Sequence, residues 1–174
     1  YQVYHSIADE REDLTIAGCW SHARRGFADV VKAAGKKDVG IRQSVAYKSL
    51  QLIQTMSRYE EKLAKMEPAE RLEARIHDVL PLADAFFAYL KSKEGSVAPK
   101  SATGKAIRYC LNQERFLRVF LTDGYVPMTN NAAERSIRPF TVGRNNWFQI
   151  DTVSGAKASA IAYSIACLLY TSDA

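Results

Sequence analysis

From Ile41 to Met66 the apolar residues Val45, Leu52, Ile53, Met56, Leu63 and Met66 step by threes, fours and their multiples, with Lys and Glu between them. That period lays one apolar stripe along an amphipathic helix. A second stripe, Leu72, Ile76, Val79, Leu80, Ala83, Phe86, Phe87 and Leu90, follows Pro68, a residue suited to a helix's first turn, and stops near Gly95. Pro81 lies inside this stripe, so a kink or short break is predicted there. Ser96 to Gly104 reads as a small polar connection. A third helix carries Ile107, Cys110, Leu111, Leu117, Phe120 and Leu121 on one face and ends at the Asp123-Gly124 turn. Helices of this length with short links pack on one another through their stripes. Residues 41–121 therefore read as an all-helical block.

The pattern changes on either side of that block. Val3, Tyr4 and Ile7 sit at helical spacing within Tyr1–Ala8, and the charged run Asp9 to Asp13 separates them from Leu14-Thr15-Ile16-Ala17-Gly18-Cys19-Trp20. This second piece is short, apolar and partly β-branched, which predicts a strand buried on both faces. Ser21 is placed to cap a helix that closes near Gly35. A strand feeding a helix points to α/β architecture. Beyond Pro139, residues 141–150 are polar and aromatic and predict a short extended piece around Trp147-Phe148-Gln149. A final Ala-rich helix starts at Ser154 or Gly155 and runs to about Leu169.

At 174 residues, 47% of them hydrophobic and 25% charged, the chain has the composition of a globular protein rather than a disordered or fibrous one. The net charge of +5 is compatible with a polyanionic partner without requiring one. Cys19, Cys110 and Cys167 are odd in number and far apart, with neither zinc spacing nor an obvious pairing, which suits a reducing compartment. The longest nearly apolar run, Ala158 to Tyr170, is shorter than the roughly 18 residues that read as a spanning helix, so no membrane partner is expected. The chain opens at Tyr1 inside a patterned segment, and the expectation is a fragment with further sequence upstream.

The chemistry concentrates in Asn130-Asn131-Ala132-Ala133-Glu134-Arg135-Ser136-Ile137-Arg138-Pro139-Phe140 and Gly143-Arg144-Asn145-Asn146-Trp147. One carboxylate, Glu134, stands among Arg135, Arg138 and Arg144, as in a site that holds a divalent ion and a phosphodiester together. The plainer reading is a capping box, with Asn131 as the cap and Glu134 reaching back to it. The arginines could fork onto phosphates or simply form a solvated helix face. Trp147 beside Asn145 is a platform for a base or a half-buried core residue. His22 and Arg25 lie just past the expected strand end, where open α/β sheets often place ligands. A lone His there also serves as an ordinary hydrogen-bonding group.

Those blocks, together with Ala17-Gly18-Cys19-Trp20-Ser21-His22-Ala23-Arg24-Arg25, Leu111-Asn112-Gln113 and Asp123-Gly124-Tyr125-Val126-Pro127, resemble the transposases of the insertion sequence 66 family in order and spacing over residues 1 to about 166. The resemblance implies a predominantly helical α/β fragment: the C-terminal part of a ribonuclease H-like core, interrupted by an all-helical insertion. It implies core at 1–40, insertion at 41–121, and at 122–166 the remaining core with the Glu-bearing helix. Residues 167–174 look like a non-native tail.

By the same resemblance Glu134 is the third acid of an Asp-Asp-Glu triad, catalytic and metal-ligating, and two Mg²⁺ (or Mn²⁺) ions are expected in the full-length protein. Both aspartates would lie upstream of Tyr1; neither Asp9 nor Asp13 matches them. The fragment by itself is expected to be inactive. Arg135, Arg138, Arg144, Asn145, Trp147, His22 and Arg25 are the expected DNA contacts. The implied partners are transposon ends and target DNA, a second copy of the chain in the active complex, and helper proteins. The implied location is the bacterial cytoplasm, at the nucleoid. A non-catalytic helical DNA-binding or assembly module, and a decayed transposase remnant, are the alternatives.

Overall fold

The structure, a computed structural model, describes residues 11, 13–35, 40–136, 138 and 152–172. The helix expected over Tyr1–Ala8 and the extended piece expected around Trp147 fall outside them. Residues up to Thr129 form one compact unit and those from Asn130 onward a second.

In the first unit, α1 (Trp20–Ala34) ends at Gly35, whose φ of +78° suits a residue without a side chain and whose N–H donates to the Lys32 carbonyl. A 3₁₀ turn (Gly40–Gln43) leads to α2 (Val45–Leu63), capped by the Ser44 hydroxyl, which accepts the Tyr47 N–H. Next, α3 (Pro68–Ala74) carries proline in its first turn and runs through a π-helical turn (Arg75–Val79) into α4 (Leu80–Glu94). The third stripe is broken into α5 (Ala102–Asn112), α6 (Glu114–Leu117) and a 3₁₀ turn (Val119–Leu121). Ser101 caps α5, which places Gly104 inside the helix rather than in the preceding connection.

Helix α1 packs on α2 and α5, and α4 packs on α2 and α5. The buried side chains of α1 therefore share one core with the block at 41–121. Its centre is aromatic: Trp20 lies 5.3 Å from Phe86, 5.8 Å from Phe87 and 6.2 Å from Phe120 between ring centroids, mostly edge to face. The buried indole needs an acceptor, and Trp20 Nε1 donates to the Leu117 carbonyl at 2.8 Å. On the surface, Arg118 bridges Asp84 on α4 to Glu114 on α6, and Lys91 reaches the same Glu114. Burial pushes the Glu114 carboxyl up, yet the Lys91 and Arg118 hydrogen bonds outweigh it and hold the group below the ordinary range.

Three expectations are corrected here. The described residues are predominantly helical, as expected, but no strand occurs among them, so the strand of the expected α/β fragment is not found there. Leu14 to Cys19 is not helical, but Leu14, Thr15 and Ala17 are exposed rather than buried on both faces. A strand needs a ladder, and the segment makes isolated bonds instead: Gly18 N–H to the Phe116 carbonyl at 2.8 Å and, just beyond it, Trp20 N–H to the Met128 carbonyl at 3.2 Å. Ser21 does not cap α1, because the helix begins two residues earlier than that cap requires, at Trp20, and Cys19 takes the cap position. Ile76 is 51% exposed while Arg75 is buried. The break expected at Pro81 takes the form of the π turn, whose extra residue rotates the stripe and exchanges those two neighbours.

Gly124 sits where no side chain fits: a Cβ there would lie 1.8 Å from the Pro68 carbonyl oxygen. The obstacle is backbone and cannot swing aside. Gly124→Ala is expected to destabilise the protein by about 1–3 kcal/mol, read as an earlier thermal unfolding midpoint by circular dichroism. An unchanged midpoint would show that the turn moves off α3 freely.

In the second unit, α7 covers residues 131–136, with Arg138 also helical, and α8 covers Val153–Ser172. Val153, Ile161 and Ile165 of α8 are exposed. No described helix is long and apolar enough to cross a membrane.

Candidate nucleic-acid interface

The Glu134 segment follows a heavily fastened turn. Arg75 is buried, and its guanidinium grips the Glu60 carboxylate through two bonds of 2.8 and 2.7 Å. Its Nη1 donates to the carbonyls of Phe120, Asp123 and Val126 at 2.7, 2.9 and 2.9 Å. Arg71 adds the Gly124 carbonyl at 3.1 Å while also holding Leu63, Ala64 and Met66 at the end of α2. Two arginines one helical turn apart thus staple the chain between Phe120 and Val126 to the α2–α3 corner. Neither was singled out from sequence. An arginine reads as a polar residue wherever it falls, and only the π turn brings Arg75 into the interior.

Past that staple, Met128 is buried, and the chain enters α7 three residues on. The Glu134 N–H donates to the Asn130 carbonyl at 2.9 Å, the first bond of the helix. Asn130 therefore occupies the cap position, and Asn131 is already helical. That start makes Glu134 the fourth helical residue, one past the position a capping-box Glu holds. Glu134, Arg135 and Arg138 are all exposed. Arg138 lies three residues after Arg135 and four after Glu134, so one carboxylate and two guanidiniums share a surface. Arg144, Asn145 and Trp147 lie outside the described residues.

His22 and Arg25 belong to the first unit, on α1. His22 is half-buried and Arg25 exposed. His22 lines a groove of about 420 Å³ between α1 and α5, with a floor of small residues that includes Gly26 and Ala106 and with Asp29, Lys105 and Tyr109 around it. Asp29, Lys105 and Tyr109 were not marked from sequence, because they come together only when two segments some 80 positions apart pack. Arg25, three residues after His22 and four before Asp29, shares that side of α1. Cys19 and Cys110 are both buried thiols that form no disulfide. Burial pushes Cys110 up to about 12, which leaves it a packing residue rather than a nucleophile.

The family described as Transposase IS66 family matches the chain over residues 1–158. The chain belongs to the IS66 transposase family. Among its relatives, the uncharacterized protein y4qI of Sinorhizobium fredii is 32% identical over 177 residues, covering 98% of this chain and 31% of that protein. The uncharacterized protein y4hP of the same organism is 31% identical, covering 87% of this chain and 28% of that protein. A third, y4jD, is 28% identical over 95% of this chain and 32% of its own length. This IS66-family chain thus spans about a third of the length of the curated relatives it matches. No solved structure matches it significantly.

Proposed function

We propose that this chain is the Glu134-bearing, C-terminal part of a DNA transposase that cleaves DNA at the ends of its element and joins them to a target. Water attacks the phosphorus at the element end and the P–O3′ bond breaks, freeing a 3′-hydroxyl. That hydroxyl then attacks a target phosphorus in line and displaces the target strand's own 3′-oxygen. The observation that carries the reading is the family match across residues 1–158. Exposed Glu134 with Arg135 and Arg138 supports it, as a surface able to meet a phosphodiester.

A centre of two Mg²⁺ or Mn²⁺ ions needs about three hard carboxylate ligands. Among the described residues no three His, Cys, Asp or Glu side chains come together. The residues in hand do not make that centre, and Glu134 is offered as one carboxylate of a set that the whole protein would complete on a ribonuclease H-like core. Transposon ends and target DNA are the proposed partners, with a second protomer and helper proteins in the active assembly.

The test is strand cleavage by the whole protein on labelled DNA carrying the element's ends, with and without Mg²⁺. Cleavage supports the enzyme. Binding without cleavage supports a helical DNA-binding or assembly module, the reading favoured by the single carboxylate on α7. For the phosphate contacts, Arg135→Gln is expected to weaken DNA binding equally across sequences and to reduce the slope of log affinity against log salt by about 0.9. An unaltered slope removes Arg135 from the interface.

A further inference from the structure

We propose that the outer face of α2, together with the adjoining end of α4, binds a stretch of DNA backbone. This rests on the DNA-acting reading above and adds a contact surface in the first unit, separate from Glu134. Lys48, Gln51, Thr55, Arg58 and Lys62 follow one another along α2 at spacings of three and four residues, which makes one polar stripe with no acidic residue in it. Lys48, Gln51, Arg58 and Lys62 are exposed. Helix α4 adds Tyr89 and Lys93 at one end of the stripe: Lys48 Nζ lies 4.7 Å and Lys93 Nζ 5.9 Å from the centroid of the Tyr89 ring. At the other end, Lys62 Nζ lies 5.3 Å from the Tyr59 centroid.

Arg75, Lys91 and Arg118 each meet a carboxylate, whereas none of Lys48, Arg58, Lys62 and Lys93 forms an ion pair among the described residues. Glu60 of α2 is already held by Arg75. Two ammoniums brought to one ring from different helices repel each other, and the negative face of the ring offsets only part of that. An anion bound between them removes the repulsion. Burial pushes the Tyr89 hydroxyl up, so it stays protonated and can donate to a phosphate oxygen. The length of the stripe selects among anions. Lys62 lies 14 residues after Lys48, about 21 Å along the helix. That is too long for a lone phosphate and enough to run beside about six phosphates of one DNA strand, at about 3.4 Å each.

The experiment titrates the 174-residue chain into a fluorescently labelled DNA duplex of arbitrary sequence over a series of salt concentrations and follows anisotropy. Lys48→Gln with Lys93→Gln is expected to reduce the slope of log affinity against log salt by about 1.8, and Arg58→Gln with Lys62→Gln by about the same. Lys32→Gln with Lys100→Gln removes as much charge elsewhere in the first unit and is expected to leave the slope unchanged. None of these side chains is buried, and helical circular dichroism checks folding; should one stripe pair misfold, the other decides. A wild-type slope in the folded stripe variants overturns the proposal, as does an equal loss in the control pair, which would mean net charge alone. Displacement of the labelled duplex by inorganic phosphate or polyglutamate as readily as by unlabelled duplex also overturns it, in favour of a lone-anion site or an acidic protein partner. Cleavage of element ends by the whole protein is scored separately. Intact cleavage with an unaltered slope sinks only the stripe, and a reduced slope without any cleavage sinks only the transposase reading.

Discussion

Glu134→Gln in the whole protein is expected to abolish Mg²⁺-dependent strand cleavage and transfer while DNA binding stays close to wild type. The substitution keeps the shape of the side chain and removes its charge, so it separates ligation from packing. Loss of a mere hydrogen-bond partner to a metal ligand costs about 10–100-fold in activity, and loss of a ligand should exceed that. Folding should be untouched. Glu134 is exposed, it stands one position past the one a capping box uses, and the first helical bond runs through its backbone to Asn130. Cleavage assays on labelled element ends, with gel-shift affinities measured on the same preparations, check this. A mutant that cleaves at the wild-type rate removes Glu134 from the reaction and leaves the helical-module reading.

Arg75→Ala is expected to be the most damaging single change to stability, at about 3–5 kcal/mol, because it empties a buried site and leaves the mostly buried Glu60 carboxylate without its partner. Arg75 is 1% exposed and Glu60 13%, so water cannot readily replace the lost guanidinium. The carbonyls of Phe120, Asp123 and Val126 lose a donor as well. For a chain of this length the thermal midpoint should fall by about 6–20 °C. Replacing both partners, as Arg75→Met with Glu60→Leu, should cost less than Arg75→Ala, since the stranded charge is the main penalty. If the double variant melts no higher than the single one, the pair is incidental and the staple works through the carbonyls.

Much of the helical block was legible in the sequence. Pro68 in a first turn, Gly35 and Gly95 at helix ends, and the buried positions Ile53, Met56, Val79, Ala83, Phe86, Phe87 and Leu90 follow from spacing and local backbone preference. The exceptions share a physical cause. Leu14 to Cys19 has the composition of a strand, but no described segment forms a ladder with it. Ile76 has the spacing of a core residue, but the π turn carried it outward and Arg75 inward. Asn131 has the chemistry of a cap, but the helix starts one residue earlier.

For the site, sequence order alone placed Glu134, Arg135 and Arg138 within one turn of each other and carried the family resemblance that the comparison then established. Local chemistry suffices there, because residues three or four apart on a helix are neighbours whatever the rest of the chain does. The α1–α5 groove and the Arg71–Arg75 staple required the fold. Their members are distant in sequence and polar in character, so no periodicity marks them. Only the packing of α1 on α5, and the extra residue of the π turn, determined which charged side chains face a cavity and which one lies buried in the core.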